Sequence, residues 1–368
     1  MKDVDFRAAA FIKQEMLARG GDAAVNRGVI DASVEESDVL LMATDGQISA
    51  LLTKMRAMSC WGLAALRDKI ELAWKNSEPG RTWTLPLPRG RALQLGGPDG
   101  ATKIMGILNV TDDSFYPASR VKGTDDLIER AGRMLSDGAD VLDVGAESTR
   151  PGFAPVPEDE EIRRLAPAIE ALRRCFPHAV ISADTRRGEA AVAAADAGAD
   201  IINDVGGLDQ SMLAAVTRLN LPYVLSHTAE KGHSYRDLLS DMSEYFARKL
   251  DSGLDPCRLM IDPGLGFGKG MEDNLTIIRH VESLSAFGLP ILLGHSRKSF
   301  TCPCPCPCPC PCPYSGSRAG AASEPGDRLP ATIAVSALVE GRVQMVRVHD
   351  VRENREALAM ARAVRCGT

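Results

Sequence analysis

From Lys103 onward the apolar residues come in short unbroken runs, each followed by a polar or glycine-containing loop and then by ten or more residues with helical spacing. Eight runs stand out, at 104–108, 140–144, 179–183, 200–202, 222–226, 258–261, 290–293 and 344–348. Runs that do not alternate with polar residues suit strands of a parallel sheet, because both faces of such strands are covered. The pattern predicts helices between them over Thr124–Ser136, Glu158–Arg174, Gly188–Ala197, Ser211–Leu219, Tyr235–Leu250, Met271–Ser285 and Asp327–Glu340, with a last one over Asp350–Val364. Eight strand–helix repeats match an α/β fold of the closed (β/α)₈ barrel type, ordinarily about 250 residues long. A doubly wound open sheet is the alternative, and it normally uses fewer units.

The pattern upstream is different. Residues 1–77 read as a small α+β domain of unknown role, with helices over Ala8–Leu17, Gln47–Met58 and Leu63–Trp74 and strand-like runs at Gly28-Val29-Ile30 and 38–42. Gly20-Gly21 and Asp45-Gly46 punctuate those elements. The domain carries no cluster of His, Cys or paired carboxylates, and a structural or oligomerisation module is the plain reading. Residues 78–99 hold two alternating runs, Thr82–Leu85 and Ala92–Leu95, around Pro88-Arg89-Gly90. That pattern predicts a hairpin placed to plug the N-terminal mouth of a barrel spanning 100–368.

Composition narrows the function more than the fold. A net charge of −6 over 368 residues argues against nucleic acid as a partner, so any anion site must be local. The N-terminus carries acids and no long apolar stretch, which argues against a secretory signal or a membrane span and for a cytoplasmic protein. Cys60, Cys175, Cys257 and Cys366 are scattered single cysteines of the kind that serve as small core or surface residues. The other six, Cys302, Cys304, Cys306, Cys308, Cys310 and Cys312, alternate with proline in an irregular stretch over 300–326.

Polar chemistry collects where the strands end, and in a barrel the loops after the strands build the site. The successive ends carry Asn109 to Phe115, Asp143 to Gly152, Asp184-Thr185-Arg186, Asn203-Asp204, His227, Asp262 to Lys269, Gly294 to Ser299 and Arg347 to Asp350. Singly these have ordinary readings: Asp184, Asp204 and Asp350 as helix caps, Asp262-Pro263-Gly264 as a turn, His227 as a core histidine and Arg297-Lys298 as a solvated pair. Their convergence on one mouth favours an active site. Asp184, Asn203 and Asp262 offer acceptors and donors suited to the edge of an aminopyrimidinone, and Lys298, Arg297, Arg347 and His349 offer cations for an anion. Asn109 could join Mg²⁺ through its carbonyl oxygen. No Ser-His-Asp arrangement, phosphate-binding G-x-x-x-x-G-K loop, H-E-x-x-H or paired C-x-x-C motif is present.

Taken in order, Ile104 to Thr111, Glu147 to Gly152, Asp184-Thr185, Asn203-Asp204, Asp262 to Lys269, Ser296 to Ser299 and Arg347 to Asp350 resemble dihydropteroate synthase, the pterin-binding (β/α)₈ enzyme of folate synthesis. The resemblance implies condensation of 6-hydroxymethyl-7,8-dihydropterin diphosphate with 4-aminobenzoate, releasing pyrophosphate, with Mg²⁺ as cofactor and a homodimer as the assembly. It assigns the pterin to Asp184, Asn203, Asp262, Phe267 and Lys298, and the pyrophosphate to Asn109, Arg347 and His349, with Asn109 reaching the metal. It assigns the aminobenzoate to Phe115, Thr149, Arg150, Pro151 and Ser299, and to Asp113 a role in stabilising the cationic intermediate or ordering its loop, so that Asp113, Lys298, Arg347 and His349 are the expected catalytic residues. A related pterin-dependent methyltransferase would share the pterin residues but have little use for Lys298, Arg347 and His349. A catalytically impaired pterin-binding homologue is the third reading.

Three departures bear on that third reading. Asp112 follows Asn109-Val110-Thr111 where the family usually has proline, and Ser226 and Thr228 flank His227 where it often has methionines. The run Cys302 to Pro313 follows the lysine loop directly; as polyproline II it would extend about 37 Å. An inserted linker, a nucleotide-repeat expansion or frame error, and a thiol tract are the competing readings of it.

Overall fold

The computed structural model describes residues 1–78, 80–97, 100–110, 120–146, 157–228, 238–298, 300 and 328–367. The chain divides into two compact units, Met1–Glu78 with Ala286–Gly288, and the remainder.

In the first unit, β1 (Val4–Asp5) runs into α1 (Phe6–Leu17), capped by the Asp5 side chain. β2 (Asp22–Val25), β3 (Glu36–Ser37) and β4 (Val39–Met42) complete two antiparallel pairs, β1 with β3 and β2 with β4. α2 (Asp45–Arg56) starts at a Thr44/Gln47 capping box, and α3 (Leu63–Asn76) follows. Ala8, Ile12 and Met16, four apart on one face of α1, form the core with Leu51, Met55 and Leu63. The strand expected at Gly28-Val29-Ile30 is instead a 3₁₀ turn over Arg27–Val29. The Asn26 side chain accepts from the Gly28 N–H and closes the turn, so the apolar pair Val29-Ile30 does not extend.

In the second unit, β5 (Thr82–Pro86) and β6 (Ala92–Gly96) form the expected hairpin, with Arg89 and Gly90 both at positive φ in its turn. The barrel strands are β7 (Lys103–Asn109), β8 (Val141–Gly145), β9 (Val180–Asp184), β10 (Ile201–Asp204), β11 (Tyr223–Ser226), β12 (Leu259–Asp262), β13 (Leu292–Leu293) and β14 (Met345–Val348). They lie in parallel in the order β12-β11-β10-β9-β8-β7-β14-β13, and a bridge from Ile261 to Ile291 joins the two ends into a closed barrel. Helices α4 (Arg120–Ser136), α5 (Glu158–Cys175), α6 (Gly188–Asp196), α7 (Gln210–Leu219), α8 (Leu238–Leu250), α9 (Met271–Arg279), α10 (Leu329–Val339) and α11 (Val351–Cys366) alternate with them. The helix expected over Met271–Ser285 ends at Arg279, where His280 leaves helical geometry, and a 3₁₀ segment covers Val281–Phe287. Of the helix expected from Tyr235, residues 235–237 lie outside the described residues.

Inside the barrel the side chains change character at a fixed height. Leu85, Leu87, Leu93 and Leu95 of the hairpin pack against Met105, Val141, Ile201, Val224, Met260, Leu292 and Met345. These strand residues point inward, so the residue two further along each strand does too. The inward positions then become Asp143, Asn203, Ser226, Asp262, Gly294 and Arg347, with Ile107 of β7 the one that stays apolar. One turn of the barrel thus separates a hydrocarbon floor from a polar chamber. The hairpin is fastened by Arg91, which donates to the Ala179 carbonyl and pairs with Asp200, a buried carboxylate also held by Arg173 at 2.6 Å.

Among the described residues no helix is long and apolar enough to cross a membrane. Cys60, Cys175, Cys257 and Cys366 are exposed free thiols, which settles the core-or-surface question in favour of the surface.

Candidate active site

The polar chamber is organised by one guanidinium. Arg347 donates through Nε to Asp143 Oδ2 at 2.5 Å and through Nη2 to Asp184 Oδ2, while Asn203 Nδ2 donates to the same Asp143 oxygen at 3.1 Å. β14 adjoins β7, β7 adjoins β8 and β8 adjoins β9, so the side chain reaches across the barrel to its carboxylates rather than to a neighbouring strand. Gly145 makes room: a Cβ there would sit 3.3 Å from the Asp184 side chain. Burial outweighs the Arg347 charge at Asp184 and lifts its pKa to about 7, with the Asp143 charge adding to the rise. At Arg347 burial works against the charge, but Asp184 and Asp143 prevail and hold it fully protonated.

On the opposite wall, Asp262 Oδ1 accepts from the Gly264 N–H at 2.7 Å, in a turn that requires positive φ at Gly264. Burial raises its pKa, and Lys298 opposes that. Lys298 donates to the Leu265 carbonyl and lies 4.3 Å from the centroid of the Phe267 ring. Burial lowers its pKa to about 8, against the attraction of Asp262. Gly294 lies between them; a Cβ there would come 3.4 Å from Asp262 Oδ2 and 3.9 Å from Lys298 Nζ. Asp262, Lys298 and Phe267 form one wall and Arg347, Asp143, Asp184 and Asn203 another, and the two meet at Gly294, whose Cβ would also lie 3.9 Å from Arg347 Cδ.

Several buried oxygens in this chamber have no hydrogen-bond partner among the described residues: Asp143 Oδ1, Asn203 Oδ1, Ser182 Oγ and Ser226 Oγ. Buried polar atoms are rarely left so. An occupant that brings its own donors would satisfy these oxygens. His349 sits at the rim: Ser296 Oγ accepts from its backbone N–H at 3.1 Å and lies 2.9 Å from its Nδ1. Asn109 ends β7 opposite Gly145 of β8 and is half-buried; its carbonyl accepts from Arg130.

The lysine loop is tied down from behind. Arg297, at φ +53°, donates its N–H to Thr332 Oγ1, accepts at its carbonyl from Arg328 Nη1, and forms a two-pronged pair with Asp350. His295, fully buried, donates from Nε2 to Ser336 Oγ at 2.9 Å, because Ser336 in turn donates to Asn354 Oδ1. Burial lowers the His295 pKa to about 4, which keeps the ring neutral in this network.

Of the residues singled out from the sequence, Asp184, Asn203, Asp262, Phe267, Lys298 and Arg347 meet in the chamber, and Asn109 and His349 stand at its mouth. Arg347, expected at an anion, is engaged by Asp143 and Asp184. Asp204 is a structural residue: its carboxylate accepts from Leu208 N, Gly206 N and the Tyr223 hydroxyl. Asp350 begins α11 without capping it, since its carboxylate is taken by Arg297. Asp112, Asp113, Phe115, Thr149, Arg150, Pro151, Ser299 and the Cys302–Pro313 run lie outside the described residues. The residue missed from sequence is Asp143, and its signal was there: a charge inside the apolar run Val141–Val144.

The family described as "Pterin binding enzyme" matches residues 105–349. A "Probable bifunctional folylpolyglutamate synthase/dihydropteroate synthase" of Haloferax volcanii is 36% identical over 98% of the chain, but the chain spans only 42% of that relative's length. A dihydropteroate synthase of Clostridium beijerinckii is 37% identical over 70% of the chain and 93% of its own length. The archaeal similarity therefore extends through the N-terminal unit, which the shorter bacterial enzyme does not match in full. Among solved structures, a dihydropteroate synthase of Xanthomonas albilineans with 4-aminobenzoic acid superposes with a TM-score of 0.65 at 34% identity, over 77% of this chain and 99% of that one.

Proposed function

The chain belongs to the family of pterin-binding enzymes, and on that footing we propose that it is a dihydropteroate synthase, joining 6-hydroxymethyl-7,8-dihydropterin diphosphate to 4-aminobenzoate. The observation that carries the reading is the chamber itself: buried Asp262, Asn203, Asp143 and Asp184 around Lys298 and Arg347, with oxygens that lack internal partners. An aminopyrimidinone carries ring N–H and amino donors that these oxygens accept, and a carbonyl that Lys298 can serve. Phe267 would lie against the ring. In the reaction the bond from the pterin methylene carbon to the diphosphate oxygen breaks, the electron pair leaves with pyrophosphate, and the aminobenzoate nitrogen bonds to that carbon and loses a proton. The chain's residues bind and orient the ring, keep it out of water and balance its transient positive charge with buried carboxylates.

The leaving diphosphate would meet Asn109 and His349 at the mouth. Mg²⁺ would be held by the Asn109 amide oxygen together with diphosphate oxygens, a hard-oxygen set with few protein ligands that suits this ion. Among the described residues no group of three His, Cys, Asp or Glu is placed to hold a metal. When bound, the ion offsets the charge of the leaving group. Incubating the protein with the pterin diphosphate, labelled 4-aminobenzoate and Mg²⁺ should give dihydropteroate. Retained pterin binding without product would replace this reading with that of a binding homologue.

The small polar substrates support a cytoplasmic location. A homodimer is supported by the inverted character of α10: Thr332 and Ser336 face inward, whereas Ala334 and Leu338 face out, Leu338 being 64% exposed. Met360 and Val364 of α11 are exposed as well, at 67% and 78%. Light scattering should find a dimer, and Leu338→Glu with Met360→Glu should yield a monomer. A double variant that stays dimeric places the interface elsewhere.

The anchors on Arg297 and His295 hold Lys298 from the α10 and α11 side. Replacing residues 302–313 by a glycine-serine segment of equal length is therefore expected to leave turnover within about threefold of the parent, since these anchors of Lys298 are all kept. A loss of a hundredfold would show that the run itself contributes to the site.

A further inference from the structure

We propose that Lys269 is a positioning residue for the pterin ring: it clamps the loop after β12 against the end of β11 and so fixes the wall made by Asp262 and Phe267. The inference rests on the pterin reading above and goes beyond it, because the Lys269 ammonium is taken up by backbone carbonyls. Its ammonium donates to three backbone carbonyls, those of His227 at 3.1 Å, Gly264 at 2.9 Å and Phe267 at 3.2 Å. An ammonium has three hydrogens, so all are committed. The acceptors lie on two different loops, one ending β11 and one following β12.

The loop has little other freedom. Gly264 takes φ +66°, and a Cβ there would overlap the His227 carbonyl oxygen, so the two loops are in backbone contact where Lys269 ties them. Two carbonyls facing one spot repel each other unless a cation lies between them. Lys269 supplies it, and burial lowers its pKa to about 7. The same loop carries Asp262 at one end, the Leu265 carbonyl that receives Lys298, and Phe267 beneath the Lys298 ammonium. Farther along, the Asn274 side chain accepts from Gly266 N at 2.7 Å and closes the loop onto α9. Without Lys269 the carbonyls of His227, Gly264 and Phe267 would turn apart, and the ring-binding wall would move with them.

The test compares Lys269→Met, which has similar length and no donors, with Lys269→Gln, which keeps a neutral amide donor. Pterin diphosphate affinity is read by calorimetry, which needs no turnover, and steady-state kinetics give KM for each substrate. In Lys269→Met the pterin Kd and KM should rise by about tenfold or more, while KM for 4-aminobenzoate stays within about threefold; Lys269→Gln should fall between, with an unchanged melting temperature. Unchanged pterin affinity in both variants overturns the proposal, as does an equal rise in both KM values. Failure of the wild type to bind the pterin diphosphate would overturn the parent reading instead, and the two failures are read from different samples.

Discussion

Lys298→Ala should lose about 10²–10³-fold in kcat/KM, the usual effect of removing one preorganised hydrogen-bond donor, without a fall in melting temperature. The activity term follows from position: the ammonium lies 4.3 Å from the centroid of the Phe267 ring, where it can donate to the carbonyl of a bound aminopyrimidinone. The stability term follows from burial. Desolvation lowers the Lys298 pKa to about 8, so holding it protonated opposes folding in the absence of ligand. The unfolded chain binds the extra proton between about pH 8 and the ordinary lysine value of 10.5, so this residue's contribution to stability rises with pH across that window. Activity moves the other way. Pterin binding should decline above about pH 8 as the ammonium deprotonates, and Lys298→Arg should move that alkaline limb upward. A variant that unfolds in parallel with its loss of activity would show that Lys298 is structural, and calorimetry beside the rate assay decides it.

Asp143→Ala should be the costliest of the chamber substitutions for the fold, at about 3 kcal/mol, the lower end for breaking a buried ion pair. The lower end applies because Arg347 keeps Asp184, whereas Asn203 loses its acceptor outright. Asp143→Asn should be milder, since an amide oxygen can still accept from Arg347 and Asn203. It should also move the acidic limb of pterin binding downward, because the Asp143 charge helps hold the Asp184 carboxyl near 7. Urea melts give the first quantity and the pH dependence of pterin affinity the second. An unmoved acidic limb would detach Asp184 from Asp143.

The barrel was legible because its strands are covered on both faces, and unbroken runs such as Leu259–Ile261 have few other uses. The hairpin was legible from two-residue alternation and a Pro-Arg-Gly turn, and even its place under the barrel followed from order in the chain. In the N-terminal unit the short strands β1, β2 and β3 carry no pattern of their own, and a side-chain hydrogen bond from Asn26 overrode the apolar Val29-Ile30. Within the site, most residues that touch the chamber stand at strand ends beside polar or glycine-rich loops and were visible, Asp143 being the exception because it sits inside an apolar run. The residues that hold them were not: Ser336 and Asn354 lie in ordinary helices, and only folding brings them to His295. In α10 the apolar composition hides the pattern of burial, for Thr332 and Ser336 are buried beside Val339 while Leu338 is exposed.

The bond from Arg328 to the Arg297 carbonyl fixes the point to which the chain must return after its excursion through 301–327. Between two pinned ends, chain length enters the closure entropy only as a logarithm, about 0.6 kcal/mol for each doubling. On the linker reading of the Cys-Pro run, variants longer or shorter by a few units should therefore share one urea midpoint, and a shifted midpoint would show that the run takes part in the fold.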